Sequence, residues 1–115
     1  MTLVPLKSAT TTGRARKPKK TGPVHPGEIL REEVLKPRHM SVNKLALSLG
    51  LPATSVRRIV NGRRAITPDT ALRLARFLRT TPEYWTGLQA QYDMDAAKDR
   101  FSADIKRSVS PYKAA

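Results

Sequence analysis

The chain has 115 residues and a formal net charge of +13, which its 22 Lys and Arg residues produce against nine acidic ones. This length suits one domain with tails, and no apolar run approaches the ~20 residues that cross a bilayer. The lack of cysteine excludes disulfides and thiolate metal sites, and two isolated histidines, His25 and His39, do not form a zinc site, so we expect no metal and no cofactor.

The first 24 residues carry six Lys or Arg residues and no acidic one. They are also rich in glycine and proline, so we expect residues 1–24 to form a disordered basic arm. Such an arm either follows a nucleic-acid backbone or only keeps the chain in solution. Its opening letters, MTLVPL, are too short an apolar run for a signal peptide, and this together with the lack of cysteine predicts a cytoplasmic protein.

The first helix is predicted over about residues 26–35. Pro26 suits the first helical position, where an N–H group is not needed, and Pro37 forces a stop. His25 directly precedes this helix and has no acid, base or nucleophile partner in the sequence. We therefore expect His25 to cap the helix and not to take part in catalysis.

Two short helical patterns joined by a glycine turn follow. Ser41 is a good N-cap for the second helix, and Gly50 supplies the left-handed backbone that ends it. The third helix is predicted over Ala53 to Asn61, with a buried stripe at i, i+3 and i+4. Two helices with so tight a bend are typical of a DNA-binding helix-turn-helix. The stripe consists of Val56, Ile59 and Val60.

The outward face of the third helix carries hydroxyl, amide and guanidinium groups. A helical wheel directs Thr54, Arg58 and Asn61 away from the buried stripe. Arg pairs with guanine, Asn pairs with adenine, and hydroxyls bond to bases or to the backbone. The alternative is a solvated face on a small helical domain, but the bend, the stripe and a basic loop after the helix occur together, which favours DNA binding. The predicted DNA-binding residues are Thr54, Ser55, Arg57, Arg58, Asn61, Arg63 and Arg64.

The fourth and fifth helices begin with the same pattern of a threonine cap, a first-position proline and an acidic residue, at 67–69 and 81–83. The fifth helix is predicted over about residues 82–94, and residues 96–115 are expected to form a weakly ordered basic tail. No segment alternates with period two, so the fold class is all-α, with five helices in a domain spanning residues 25–95.

Three motifs give a resemblance to a known family: HPGEILREE at 25–33, the helix-turn-helix, and NGRRAITPDTALRL at 61–74 followed by PEYW at 82–85. Together they closely resemble the HigA-type antitoxins of the phage-repressor-like (XRE) helix-turn-helix family. The resemblance implies a homodimer that represses its own operon by binding a palindromic operator in double-stranded DNA. It also implies a partner, a RelE-like (HigB-type) mRNA-cleaving ribonuclease toxin of a type II toxin–antitoxin system, which the antitoxin neutralises.

The resemblance places the family's operator contacts on Thr54, Ser55, Arg57 and Arg58. One position departs from the family, because Pro52 stands where a serine usually caps the recognition helix. Proline cannot supply a side-chain cap, so the phosphate contact often made there must come from Thr54 or Ser55, or be absent.

The resemblance also implies a dimer interface on the fifth helix, formed by Trp85, Leu88 and Tyr92. The alternative for this stripe is that it closes the core of a single chain, which is the more common fate of an apolar helical face. Palindromic operators favour the dimer, since a two-fold site matches a two-fold protein.

Other functions stay open at this point. One is a stand-alone phage-repressor-like transcriptional regulator without a toxin partner. Another is an RNA- or ribosome-associated structural protein, against which the lack of aromatic residues in the basic runs counts. An enzyme is disfavoured because the sequence contains no catalytic constellation. For a toxin-docking patch, the acidic residues of the first helix are candidates, although such residues are more often only solvated. They are Glu28, Glu32 and Glu33.

Overall fold

The computed structural model describes residues 22–113, so residues 1–21 of the predicted basic arm lie outside the described residues. The described chain forms five helices without a strand, which confirms the all-α prediction. Within residues 22–113 no helix is long and apolar enough to span a membrane. Helix α1 begins as an α-helical turn, Pro26–Ile29, and continues as a π-helical segment, Leu30–Leu35. The others are α2 (Val42–Leu49), α3 (Ala53–Val60), α4 (Pro68–Leu78) and α5 (Pro82–Ser108).

Side-chain caps begin four of the five helices. His25 Nδ1 accepts a hydrogen bond from the backbone N–H of Gly27 at 2.9 Å, which confirms its predicted capping role. Ser41, Thr67 and Thr81 each accept a hydrogen bond from the N–H three residues later. Each cap satisfies a donor that the first helical turn leaves without a partner.

The core lies where α1, α3, α4 and α5 meet, with α2 packed against α3 and α4. All three stripe residues of α3 are buried, as the sequence predicts. Their burial turns the opposite face of α3 outward, because an α-helix with one buried stripe exposes the other side. The most deeply buried large side chains include Leu30, Leu45, Leu74 and Trp85.

Trp85 belongs to this core and offers no surface to a second chain. Its side chain is 0% exposed, and its Nε1 donates a hydrogen bond to Thr80 Oγ1 at 2.7 Å. The prediction that Trp85 lies in a dimer interface is therefore wrong, and the core alternative applies to this residue. Leu88 is partly buried against the same core, and Tyr92 is half-buried with its ring edge-on to His25.

Helix α5 is longer than the sequence pattern indicates, because it continues to Ser108 where an end near residue 94 is expected. Apolar periodicity fades after Tyr92, but alanines and long polar side chains maintain helix propensity. Side-chain pairs one turn apart also support the helix, among them Gln91 with Asp95 and Asp104 with Arg107. Residues 98–113 are exposed throughout, so the distal part of α5 projects from the domain.

The backbones of α1 and α3 come very close together at Gly27. A Cβ atom added to Gly27 would lie 1.8 Å from the carbonyl oxygen of Ile59 and 3.0 Å from the carbonyl carbon of Val60. Gly87 in α5 is the opposite case, since an added Cβ atom there meets nothing within 4 Å.

We expect Gly27→Ala to lower the free energy of unfolding by about 2 kcal/mol or more, because α1 must move away from α3 to accommodate the methyl group. Gly87→Ala is the matched control and should raise it by about 0.5–1 kcal/mol, since alanine restricts the unfolded chain and suits an exposed helix. Urea denaturation measures both changes. Equal effects of the two substitutions would contradict the close packing at Gly27.

Candidate nucleic-acid interface

The outward face of α3 presents the side chains that the sequence assigns to DNA reading. Thr54, Arg57 and Arg58 are exposed and Ser55 is half-buried. Pro52 precedes the helix in extended backbone and provides no side-chain cap, as expected from its ring. The positive end of the α3 dipole therefore faces solvent without an internal side-chain acceptor, an arrangement that favours a nearby phosphate.

The C-terminal end of α3 turns sharply into a loop that contains Gly62, Arg63 and Arg64, called the basic loop. The N–H of Gly62 donates to the carbonyl of Ile59 at 3.0 Å, and the N–H of Arg63 donates to the carbonyl of Arg58 at 2.8 Å. Gly62 has a φ of +77°, so this turn is a Schellman motif in which glycine relieves backbone strain. Asn61, Arg63 and Arg64 are all exposed at this turn. Two cations thus lie directly after α3, in a turn of defined geometry.

The two arginines of α3 differ in how firmly they are held. Arg57 Nη2 donates to Asn43 Oδ1 of α2 at 3.2 Å, which ties its guanidinium to the neighbouring helix. The guanidinium of Arg58 makes no hydrogen bond or ion pair with any residue of the described range. All five donors of the Arg58 guanidinium are therefore available to a base edge or a phosphate.

The loop after Arg64 is attached to α5 by a buried hydrogen bond. The N–H of Ile66 donates to Gln89 Oε1 at 2.8 Å, and Gln89 Nε2 donates to Asp93 Oδ1 at 3.0 Å. Both Ile66 and Gln89 are buried, so this bond is shielded from water. It holds the far end of the basic loop against α5.

Two residues of this surface are not assigned a DNA-related role by the sequence. Arg31 of α1 donates from Nη2 to the carbonyl of Val60 at 2.9 Å and to Asn61 Oδ1 at 3.3 Å. The pattern gives no signal for this contact, because thirty residues separate the partners. His25 packs edge-on against Tyr92, with ring centroids 4.8 Å apart, and lies beside Gly62. The cap of α1 therefore also contacts the basic loop.

The acidic residues of α1 do not form a bare acidic patch. Glu32 pairs with Lys36 at 3.1 Å one turn away, and Glu33 is half-buried near Tyr84, whose pKa is raised by burial and, secondarily, by this carboxylate. Within residues 22–113 no group of three or more His, Asp or Glu side chains could hold a metal ion. The arrangement of exposed cations, hydroxyls and an amide on one helix instead suits binding to an anionic polymer.

Known proteins resemble this chain closely. The helix-turn-helix family model matches residues 32–85. The solved structure of an addiction module antidote protein of the HigA family from Coxiella burnetii is 49% identical, with a TM-score of 0.76, over 80% of this chain and 100% of that one. Virulence-associated protein I of Dichelobacter nodosus is 43% identical over 71% of this chain and 77% of its own length. The antitoxin GraA in complex with its operator is 41% identical, with a TM-score of 0.75, over 83% and 98% of the two chains.

Arg58→Ala should weaken binding to the preferred DNA site by roughly 1–3 kcal/mol and relax one base preference, because a free guanidinium reads a base edge. Arg63→Ala or Arg64→Ala should weaken binding to all sequences alike and lower the slope of log affinity against log salt by about one, because these side chains are predicted to face phosphates. Fluorescence anisotropy at several salt concentrations, with matched and mismatched duplexes, separates the two effects. If all three variants discriminate between sequences equally well, the assigned roles are wrong.

Burial lowers the pKa of His25 below its usual 6.5, while the Asp93 carboxylate and a backbone hydrogen bond at Arg64 act in the opposite direction. A depressed pKa means that the unfolded chain binds the proton more tightly. The contribution of His25 to stability is therefore complete above pH 6.5 and is lost as the pH falls through the lower folded value.

We expect His25→Asn to flatten the pH dependence of the unfolding free energy between pH 7.5 and 5, because asparagine keeps a capping oxygen and does not titrate. His39→Asn is the control, since His39 is exposed with a φ of +50° that asparagine tolerates. Denaturation at each pH measures the slopes. An unchanged slope in His25→Asn would contradict the role given to its neutral ring.

Proposed function

Because this chain belongs to the HigA family of helix-turn-helix proteins, we propose that it is an antitoxin that neutralises a RelE-like (HigB-type) mRNA-cleaving ribonuclease and represses its own operon. In this proposal the α3 surface binds a palindromic operator in double-stranded DNA, and a second copy of the chain binds the other half-site. The family is one of DNA-binding proteins and not of enzymes, in keeping with the sequence prediction. The proposed DNA contacts are Thr54, Ser55, Arg57, Arg58, Asn61, Arg63 and Arg64.

The observation that best supports DNA binding is the guanidinium of Arg58, which has no side-chain partner and lies on a helix whose rotation and C-terminal end are both fixed. The buried stripe of α3 fixes its rotation, and the Schellman turn fixes its exit into two further cations. A rigid helix bearing free donors delivers base contacts at low entropic cost, because few groups must be ordered on binding. Operator DNA in the complex with GraA supports the same assignment by relationship.

The toxin-neutralising part is supported by the relationship to antidote proteins and is tested in cells. The reading frame next to the gene of this chain is expressed alone and together with the chain. We expect growth arrest with the neighbour alone and restored growth with both, and we expect the two proteins to purify together. If no neighbour arrests growth or co-purifies, the chain acts as a stand-alone regulator.

Arg58→Ala separates the two proposed activities. We expect this variant to derepress a reporter placed behind the chain's own promoter, since the base contact is lost, and to restore growth as the unaltered chain does. Simultaneous loss of both activities in a folded variant would contradict separate surfaces for DNA and toxin.

Helix α5 carries the proposed dimer interface. Leu88 and Tyr92 lie on the side of α5 that faces the core and His25, and they remain proposed interface residues. Beyond the core, three exposed apolar residues share a different face of the helix, namely Met94 (54% exposed), Phe101 (46%) and Ile105 (53%). An isolated helical segment of about fifteen residues is only marginally stable in water. The projecting part of α5 therefore gains stability from a second helix that covers this face.

The charge along α5 favours an antiparallel partner of the same sequence. Residues 93–99 contain three aspartates and one lysine, whereas residues 100–107 contain three basic residues and one aspartate. An antiparallel pair of α5 helices centred near Phe101 places each acidic half opposite the partner's basic half. A parallel pair places like charges side by side, which is unfavourable.

Phe101→Glu should convert the dimer to a monomer, because it buries a charge at the centre of the proposed helix pair. Tyr112→Glu is the matched control, since Tyr112 is 93% exposed and lies beyond the helix. Sedimentation equilibrium measures the mass of each variant. A dimeric Phe101→Glu protein would remove this part of α5 from the interface.

A further inference from the structure

We infer that Arg31 is a positioning residue for DNA reading, which fixes the amide of Asn61 so that only its NH2 group is offered to the operator. This inference rests on the proposed operator binding and deepens it, because it assigns a base preference to one residue of α3's C-terminal end. Its basis is the pair of hydrogen bonds from Arg31 Nη2 to the carbonyl of Val60 (2.9 Å) and to Asn61 Oδ1 (3.3 Å).

The position of Arg31 is set by the backbone contact between α1 and α3. Gly27 and Arg31 are four residues apart, so they lie on the same side of α1. Gly27 brings this side against the carbonyls of Ile59 and Val60. Arg31 is itself half-buried, which limits the rotamers open to its long side chain. The guanidinium therefore reaches the end of α3 from a fixed position on α1.

The orientation of the Asn61 amide follows from the donor inventory. A guanidinium group has five donors and no acceptor, so the atom of Asn61 that faces it must be the carbonyl oxygen. The same nitrogen of Arg31 binds the carbonyl of Val60 in the last turn of α3, where a cation is favoured by the helix dipole. The side chain of Arg31 thus stabilises the end of α3 and determines the orientation of the Asn61 amide beside it.

This orientation changes which bases Asn61 can read. The bidentate contact of asparagine with adenine needs the NH2 group on N7 and the carbonyl oxygen on the N6 amino group. Oδ1 has a second lone pair, but an approaching N6 amino group would meet the positive guanidinium of Arg31. The NH2 group alone pairs with major-groove acceptors, which are guanine O6 and N7, thymine O4 and adenine N7. At adenine, however, the N6 amino group beside N7 would meet Arg31, whereas guanine and thymine present a carbonyl oxygen at that place. Asn61 therefore favours guanine or thymine over adenine at its base position.

The test is the selection of binding sites from a duplex library that is randomised across the operator. The unaltered chain, Asn61→Ala, Arg31→Ala and Arg38→Ala are compared, with the melting temperature of each protein measured alongside. Arg38→Ala is the matched control, because Arg38 also donates to backbone carbonyls, at Glu33 and Val34, and its loss changes the net charge equally. Arg38 makes these contacts away from α3.

We expect Asn61→Ala to remove the preference for guanine or thymine at one position, a loss of roughly fivefold or more in discrimination. Arg31→Ala should shift the same position toward adenine by a similar factor and leave the other positions unchanged. Arg38→Ala should leave every position unchanged. If Arg31→Ala only weakens all sequences alike, as Arg38→Ala does, Arg31 contributes charge or stability alone and the inference is overturned.

Asn61→Asp keeps the inference testable if Arg31→Ala does not fold. Aspartate keeps the shape of the side chain and the contact with Arg31 but offers no donor, so the preference should move to cytosine, whose N4 amino group is a donor. Retention of the original preference would overturn the inference. If the unaltered chain selects no site, the proposed function fails as well. If the unaltered chain selects a site and Arg31→Ala keeps the same base preference at every position, only the positioning role is contradicted.

Discussion

The contact between the backbone of Gly27 and the carbonyl of Ile59 determines where α3, the proposed DNA-reading helix, lies. A side chain at residue 27 would separate α1 from α3, since even one methyl group would meet the carbonyl oxygen at 1.8 Å. The contact sets the neighbouring interactions on both sides. His25, two residues earlier, caps α1 beside the basic loop, and Arg31, one turn later, binds the end of α3. The position of α3 and of its C-terminal turn is thus defined relative to α1.

Helix α5 connects this reading surface to the proposed dimer interface. Its first half belongs to the core through Trp85 and holds the basic loop through the buried bond from Ile66 to Gln89. Its second half projects from the domain with an apolar face. A helix of 27 residues is about 40 Å long, so one rigid element links the loop to the partner. In the proposed dimer, the orientation of α5 sets the spacing between the two recognition helices.

Local patterns predict much of this fold, because helix caps and buried stripes depend on neighbouring residues. The caps at Ser41, Thr67 and Thr81 and the burial of the α3 stripe are of this kind. The length of α5 escaped prediction because its second half is stabilised by helix propensity and polar pairs. Its three apolar residues, Met94, Phe101 and Ile105, are too widely spaced to give the i, i+3, i+4 pattern of a buried stripe. The burial of Trp85 could not be decided from periodicity, since a core stripe and an interface stripe have the same spacing. The contact of Arg31 with Asn61 is a tertiary event between residues distant in the chain, which no local pattern encodes.

The central claim is that α3 and the loop after it form the surface that binds operator DNA. Its most direct test is the mapping of backbone amide chemical shifts by NMR while the duplex upstream of the chain's own gene is added. The account predicts the largest changes between Thr54 and Arg64, with small changes over residues 98–108. Changes centred on the distal part of α5, with α3 unaffected, would contradict it.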